Sequence, residues 1–199
     1  MQVHITYTGG TIGMVDSPHG LVPGADLEGW LDSLLAGTPM ARSVSVTSLA
    51  PLIDSSNATP LSWQAIVDDL RAHAAADPQT AFVILHGTDT MAYTSAALSY
   101  ALTDLSVPVV VTGSQLPLGE LGTDAAANVT GALKAATSGR MSGVALFFGH
   151  RLLAGNRVTK SSSWAFTGFE SPNAAPLATT GAPWQWAQAA SPGIGWKDA

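Results

Sequence analysis

The sequence predicts an α/β fold: a mostly parallel sheet with helices on both faces, three layers in all. Two observations carry that expectation. Short β-branched runs recur, VHITY at 3–7, VSVTSL at 44–49, AFVIL at 81–85, VPVVV at 107–111 and VALFF at 144–148. Three of them are almost continuously apolar, as strands buried on both faces are. Helix-like segments lie between them, and a chain that alternates strands with helices builds a parallel sheet through crossover connections.

The elements follow in order. Strand 3–7 runs directly into TGGT at 8–11, whose two glycines allow a sharp turn and a close backbone approach. Residues 25–36 place Leu27, Trp30, Leu31, Leu34 and Leu35 at helical spacing. Residues 62–76 read as a helix with Ser62 as N-cap. Segments 91–105 and 123–138 are Ala-rich and read helical. The chain shows no internal repeat. From about residue 174 the composition turns to Ala, Pro and Gly with Trp184, Trp186 and Trp196, which reads as an irregular tail with a short helix near 184–190.

Composition narrows the function. Charged residues make up 11% of the 199, apolar residues 46%, and the net charge is −6. The eight Lys and Arg are scattered, so no basic stripe suits a nucleic acid. Without cysteine, disulfides, thiolate metal sites and a Cys nucleophile are excluded. No signal-peptide pattern opens the chain, and no apolar run nears the roughly 20 residues of a membrane span. A cytoplasmic protein that engages neither membrane nor nucleic acid is the expectation.

Four polar clusters follow strands: Thr8–Thr11, Asp54–Asn57, His86–Met91 and Gly113–Gln115. Any one of them suits ordinary turn or capping chemistry. In a parallel sheet all four gather at one edge, where such sheets bind ligands. None is a phosphate loop, and TGGTIG lacks the GxGxxG spacing. No G-x-S-x-G elbow is present. The histidines His4, His19, His73 and His150 show no metal-ligand spacing and read as buried or surface residues, so no metal and no cofactor is expected. His86, at a strand end, reads as orienting its loop rather than as a base. Hydroxyls, one acid and one lysine remain. Thr88 adjoins Asp89, and of the three lysines, Lys134 lies on a helical segment and reads as solvated, Lys197 lies in the tail, and Lys160 sits in GNRVTKSSS. A hydroxyl nucleophile needs a base, and a desolvated lysine can serve. A carboxylate beside that amine favours its charged form and opposes the role, while burial favours the neutral amine.

TGGTIGM, HGTDTMAYTSAAL, VTGSQLP with the later TDAAAN, and GNRVTKSSS, in that order, resemble the bacterial-type L-asparaginases. The LIDSSN loop and the SPN after the lysine resemble the cytoplasmic type I branch in particular. The resemblance runs to about Pro172–Asn173, which sets residues 1–173 as an asparaginase-type N-terminal catalytic domain and 174–199 as a C-terminal tail. It implies hydrolysis of L-asparagine to aspartate and ammonia, with Thr11 as nucleophile and an acyl-enzyme. It implies Thr88, Lys160 and Asp89 as a second triad. Ser55 and Ser56 would hold the substrate α-carboxylate and Asp89 its α-ammonium, with backbone N–H groups near Thr88 and Ser114 as oxyanion site. Glutamine or another small amide is the rival substrate, and a non-catalytic amino-acid-binding domain the rival class. Two departures stand out. Leu21 occupies the loop position where the family usually has a tyrosine, leaving Tyr7 or Tyr93 as substitutes. The sequence also ends soon after the N-terminal domain, where relatives continue into a C-terminal domain. A short single-domain form that covers its exposed apolar surface as a homodimer or higher homo-oligomer is expected.

Overall fold

The computed structural model describes residues 1–187. Strand β1 (Val3–Tyr7) leads through a tight turn into a hairpin, β2 (Met14–Ser17) and β3 (Gly20–Pro23), then α1 (Leu27–Leu35) and β4 (Val44–Ser48). Helix α2 (Pro60–Ala76), β5 (Ala81–Leu85), α3 (Met91–Ala101), β6 (Pro108–Thr112), α4 (Ala125–Ala136) and β7 (Gly143–Phe148) complete the alternating part. After β8 (Arg151–Ala154) come four two-residue strands: β9 (Thr159–Lys160), β10 (Phe169–Glu170), β11 (Ala178–Thr179) and β12 (Gln185–Trp186).

The main sheet has the order β12-β11-β8-β7-β6-β5-β1-β4. Its β4-β1-β5-β6-β7 portion is parallel, whereas β8, β11 and β12 join antiparallel. Side chains of a strand alternate between faces. Val3, Ile5 and Tyr7 of β1 and Val83 of β5 therefore join the core shared with Leu31 of α1 and Val129 of α4. Phe82 and Ile84 of β5 pack in the core that holds Ile66 and Leu70 of α2 and Leu98 of α3. The three layers are those the apolar runs predict. Each fully buried Leu, Ile or Phe contributes about 1.5–3 kcal/mol of transfer free energy, and the two cores hold the sheet rigid beneath the loops at its edge.

Two local expectations change. Ser62 does not cap α2. Thr59 does, Pro60 takes the first turn, and the Thr59 N–H donates to Ser62 Oγ (3.1 Å), so Ser62 is the inner member of the cap. The segment after 173 is not simply irregular: β11 pairs with β8 and β12 with β11. The described part of the helix expected near 184–190 is extended, and the rest of that span, with Trp196 and Lys197, lies outside the described residues. Tryptophans drive the difference. Trp184 stacks on Phe147 with ring centroids 5.6 Å apart and adjoins Trp186 at 5.8 Å. Lys134 lies over the Trp184 ring and Arg140 over the Trp186 ring, both at 5.2 Å, so the Lys134 charge has an aromatic face beside it. This hairpin covers the backbone edge that β8 would otherwise present. Among the described residues no helix is long and apolar enough to cross a membrane.

Candidate active site

Strand β1 leads to β4 on one side, while β5, β6 and β7 fan out on the other. The order reverses at β1, and a crevice opens there beyond the strand ends. The loops after β1, β4, β5 and β6 meet in it. Ile53 N–H donates to Thr8 C=O at 2.6 Å, Thr8 N–H to Leu85 C=O at 2.9 Å, and His86 N–H to Thr112 C=O at 2.9 Å. Thr90 Oγ1 donates to Ser55 C=O at 2.7 Å. Gly10, at φ 95°, lies so close to Gly87 that a Cβ would run into the Gly87 backbone. A Cβ on Gly87 would in turn strike Ser55 Oγ. Only glycine fits either position, and the Thr11 loop, the Thr88 loop and the Ser55 loop consequently touch.

Thr11 opens a single 3-10 turn, Thr11–Gly13, and is half-buried. Among the described residues its hydroxyl has no hydrogen-bond partner. The Tyr7 ring lies under this turn, its hydroxyl where a Gly13 side chain would be, and burial pushes the phenol up from its ordinary value. Of the two tyrosines considered as substitutes for the loop residue, Tyr7 adjoins the turn, while Tyr93 is exposed on α3. Leu21 sits exposed on β3.

The structure brings Thr88, Asp89 and Lys160 together from 71 residues apart. Lys160 Nζ donates to Thr88 Oγ1 at 2.9 Å and to Asp89 Oδ1 at 2.8 Å. Thr88 is buried, the Lys160 side chain is 18% exposed, and that of Asp89 is 62% exposed. Pairing of β9 with β10, Lys160 opposite Phe169, fixes the lysine. The ion pair thus runs from the interior to the rim, with its carboxylate reaching solvent.

The serines divide. Ser55 is buried against Gly87. Ser56 is exposed, and its hydroxyl donates to Asp54 Oδ1 at 2.8 Å. Hydrogen bonds from the Ser56 hydroxyl and N–H hold the Asp54 carboxyl below its usual range. A substrate carboxylate would compete with Asp54 for the Ser56 hydroxyl, whereas Ser55 faces the loops. The buried Ser114 hydroxyl donates to Leu116 C=O, leaving any ligand contact there to the backbone.

Three positioning residues fall outside the expected site set. Asp124 accepts from the N–H groups of Gln115 (3.0 Å) and Leu116 (3.2 Å). Asn128 Nδ2 donates to Gly113 C=O and to Asp124 Oδ2, both at 2.9 Å. Their i,i+4 spacing within TDAAAN, at the start of α4, is the signal that marks them. His86 is the third. Its Nε2 is 3.0 Å from Thr94 Oγ1, which accepts from Trp63 Nε1–H at 3.0 Å, and its Nδ1 is 2.7 Å from Gly87 C=O. That pattern suits a neutral ring donating from Nδ1 to the carbonyl before Thr88. Burial pushes His86 below its ordinary value. This histidine orients its loop, as its strand-end position suggests.

A cleft of about 410 Å³ beside the hairpin, lined by residues that include Met14, Ala25 and Pro117, contains none of Thr11, Ser55, Thr88, Asp89 and Lys160. The polar crevice, not this cleft, gathers the candidate site residues.

A free hydroxyl on a glycine turn, beside a threonine–lysine–aspartate cluster in a parallel-sheet crevice, is equipped for acyl transfer. The chain belongs to the asparaginase family: the family model described as "Asparaginase, N-terminal" matches residues 2–191. It is 45% identical over 185 residues to L-asparaginase 1 of Escherichia coli (strain K12), an alignment spanning 90% of this chain and 53% of that protein. It is 39% identical over 198 residues to the 60 kDa lysophospholipase of Mus musculus, covering 88% of this chain and 35% of that one. The crystal structure of L-asparaginase I from Vibrio cholerae O1 biovar eltor str. N16961 superposes with a TM-score of 0.83 at 41% identity, over 94% of this chain and 56% of the other. The chain thus spans about half the length of the Escherichia coli and Vibrio cholerae asparaginases.

Proposed function

We propose that this chain hydrolyses L-asparagine to L-aspartate and ammonia through Thr11. The observation that carries the reading is the Lys160–Thr88–Asp89 cluster, held at 2.8–2.9 Å beside the glycine contact that seats the Thr11 loop. Thr11 Oγ attacks the side-chain amide carbon, and its proton passes toward the Thr88–Lys160 pair. The C–O bond forms, the tetrahedral oxyanion rests on backbone N–H groups near Thr88 and Ser114, and the C–N bond breaks as the leaving amine takes up a proton. Water then cleaves the acyl-threonine ester. Amides are poor electrophiles, so splitting one hard step into two with an oxyanion site lowers the barrier. Ser55 takes the substrate α-carboxylate and Asp89, exposed at the rim, its α-ammonium. Ser56, engaged with Asp54, is the weaker carboxylate partner of the two.

Glutamine is the competing substrate, since one methylene changes pocket binding by only about 1–3 kcal/mol. The protein works in the cytoplasm, a reading supported by its structural neighbour from Campylobacter jejuni, a "Probable Cytoplasmic L-asparaginase". It assembles as a homo-oligomer, most simply a two-fold dimer. Exposed Leu121, Trp164 and Phe166 support that assembly, and a monomer by light scattering across micromolar concentrations would overturn it. The deciding experiment is ammonia release from asparagine and from glutamine, with a lysophospholipid as control substrate. Release that disappears in Thr11→Ala supports the reading. Binding of asparagine without release would instead make this an amino-acid-binding domain.

A further inference from the structure

Strand β1 has a polar face as well as an apolar one. Val3, Ile5 and Tyr7 enter one core, while His4 and Thr6 point the other way, toward α2, and are 1% and 0% exposed. A buried imidazole and hydroxyl there need polar partners. Helix α2 supplies Asp69 and His73, which share one helix face at i,i+4. Two histidines that look dispersed in the sequence, His4 and His73, thereby stack with ring centroids 3.5 Å apart. One atom is left over. Among the described residues, His4 Nε2 is one of two buried side-chain polar atoms without a hydrogen-bond partner, the other being Ser171 Oγ. It faces Asp69 Oδ2 at 3.4 Å, too long for a good hydrogen bond.

We propose that His4 Nε2, the Asp69 carboxylate and a His73 ring nitrogen form a binding site for a zinc-class divalent transition metal. Candidate ligand atoms of the three residues lie within 4.8 Å of one another. Zinc bonds to imidazole nitrogen and carboxylate oxygen are both about 2.0–2.2 Å, so neighbouring ligands on a tetrahedral ion sit about 3.3 Å apart. The separation found for His4 Nε2–Asp69 Oδ2 is 3.4 Å. The surroundings also fit. His4 Nδ1 lies 2.9 Å from Ser45 Oγ, which leaves Nε2 as the lone-pair nitrogen when Nδ1 carries the proton. Thr6 Oγ1 donates to Asp69 Oδ2 at 2.6 Å. His73 is the mobile ligand. Its Nδ1–H donates to Asp69 C=O at 2.9 Å, and stacked rings aim their lone pairs side by side, so His73 must turn to bring a ring nitrogen to the ion. Its side chain is 36% exposed, which gives it room to turn and gives the ion a path in. Water completes the coordination. Bound there, the metal fastens α2 to β1 on the sheet face away from α1 and α4.

The test uses the full chain after chelator treatment. Zinc is titrated calorimetrically and cobalt(II) by visible absorption. One equivalent per chain is expected, with the intense bands of four-coordinate cobalt and a zinc-dependent rise in the unfolding midpoint. His73→Ala alters a partly exposed side chain and keeps the fold. It should weaken zinc binding at least tenfold and abolish the cobalt bands, and Asp69→Asn should do the same. His19→Ala and His150→Ala should change nothing. Absence of saturable uptake, or uptake untouched by His73→Ala, would overturn the site and leave the proposed amide hydrolysis unaffected, because the readout is binding rather than turnover.

Discussion

Replacing Lys160 with Met separates chemistry from stability. The substitution keeps the length and apolar stem of the side chain and removes the amine, and with it the 2.9 Å contact to Thr88 Oγ1 and the 2.8 Å contact to Asp89 Oδ1. Asp89 is 62% exposed and its carboxylate returns to water, where an exposed ion pair is worth about 0–1 kcal/mol. The buried Thr88 hydroxyl loses a charged donor, a loss of about 1–3 kcal/mol. The sum, about 1–4 kcal/mol, lowers the unfolding midpoint by about 2–16 °C for a chain of this size, at about 2–4 °C per kcal/mol. Turnover should respond differently. A positioned acid–base group contributes about 10²–10⁴ in rate, equivalent to about 3–5.5 kcal/mol of barrier. Steady-state ammonia release with asparagine, read beside a thermal melt, separates the two effects. A Met variant with kcat within threefold of the parent would show that Lys160 is only a tether for the β9–β10 hairpin. A variant that fails to fold would show that this bounded stability cost, and the exposure argument behind it, is wrong.

Thr11→Ala and Thr88→Ala should each reduce kcat by at least 10²-fold with unchanged circular dichroism, and a Thr11→Ala enzyme that keeps most of its turnover would move the nucleophile elsewhere. Asp89→Asn should raise KM about tenfold or more as well as lower kcat, because the substrate ammonium loses its charged partner; an unchanged KM argues against that pairing. His86→Gln should flatten the acid side of the stability profile. Burial keeps the folded His86 below its unfolded value of 6.5, so its contribution is complete above that pH and is lost as pH falls through the folded value. Identical pH slopes in urea denaturation of the two proteins would remove His86 from the account.

Much of the parallel core was legible because β5, β6 and most of β7 are buried and read as nearly unbroken apolar runs. AFVIL coincides with β5, residue for residue. The antiparallel additions were not legible. β9 to β12 are two residues each, too short for any periodicity, and they exist through pairing partners distant in sequence. The Thr88–Asp89–Lys160 cluster was anticipated only through the family resemblance, since no spacing predicts a contact across 71 residues. What the sequence did contain was position for Thr11, Ser55 and Thr88, each on a loop after a parallel strand, and strand ends in a parallel sheet converge; Lys160, carried on β9 outside that sheet, lay beyond this reasoning. Ser56 shows the limit of that reasoning. Its neighbour Asp54, two residues back, offers a nearer partner for its hydroxyl, and local side-chain bonding of this kind competes with any distant ligand.

VHITY holds a further sign that was open to reading. A strand that alternates Val, Ile and Tyr with His and Thr, in a sheet covered on both faces, must bury a histidine on its second face. A neutral imidazole has one donor and one acceptor, so the element packed on that face must carry a polar partner. Helix α2 carries two adjacent acids, Asp68 and Asp69, and its helical phase turns only Asp69 inward with Leu70 and Ile66. His73 follows one turn later on the same side. The cluster is thus a consequence of two periodicities meeting, 2.0 in β1 and 3.6 in α2. Neither segment shows it alone, which is why histidines 69 residues apart look unrelated in the sequence while sharing one carboxylate in the fold.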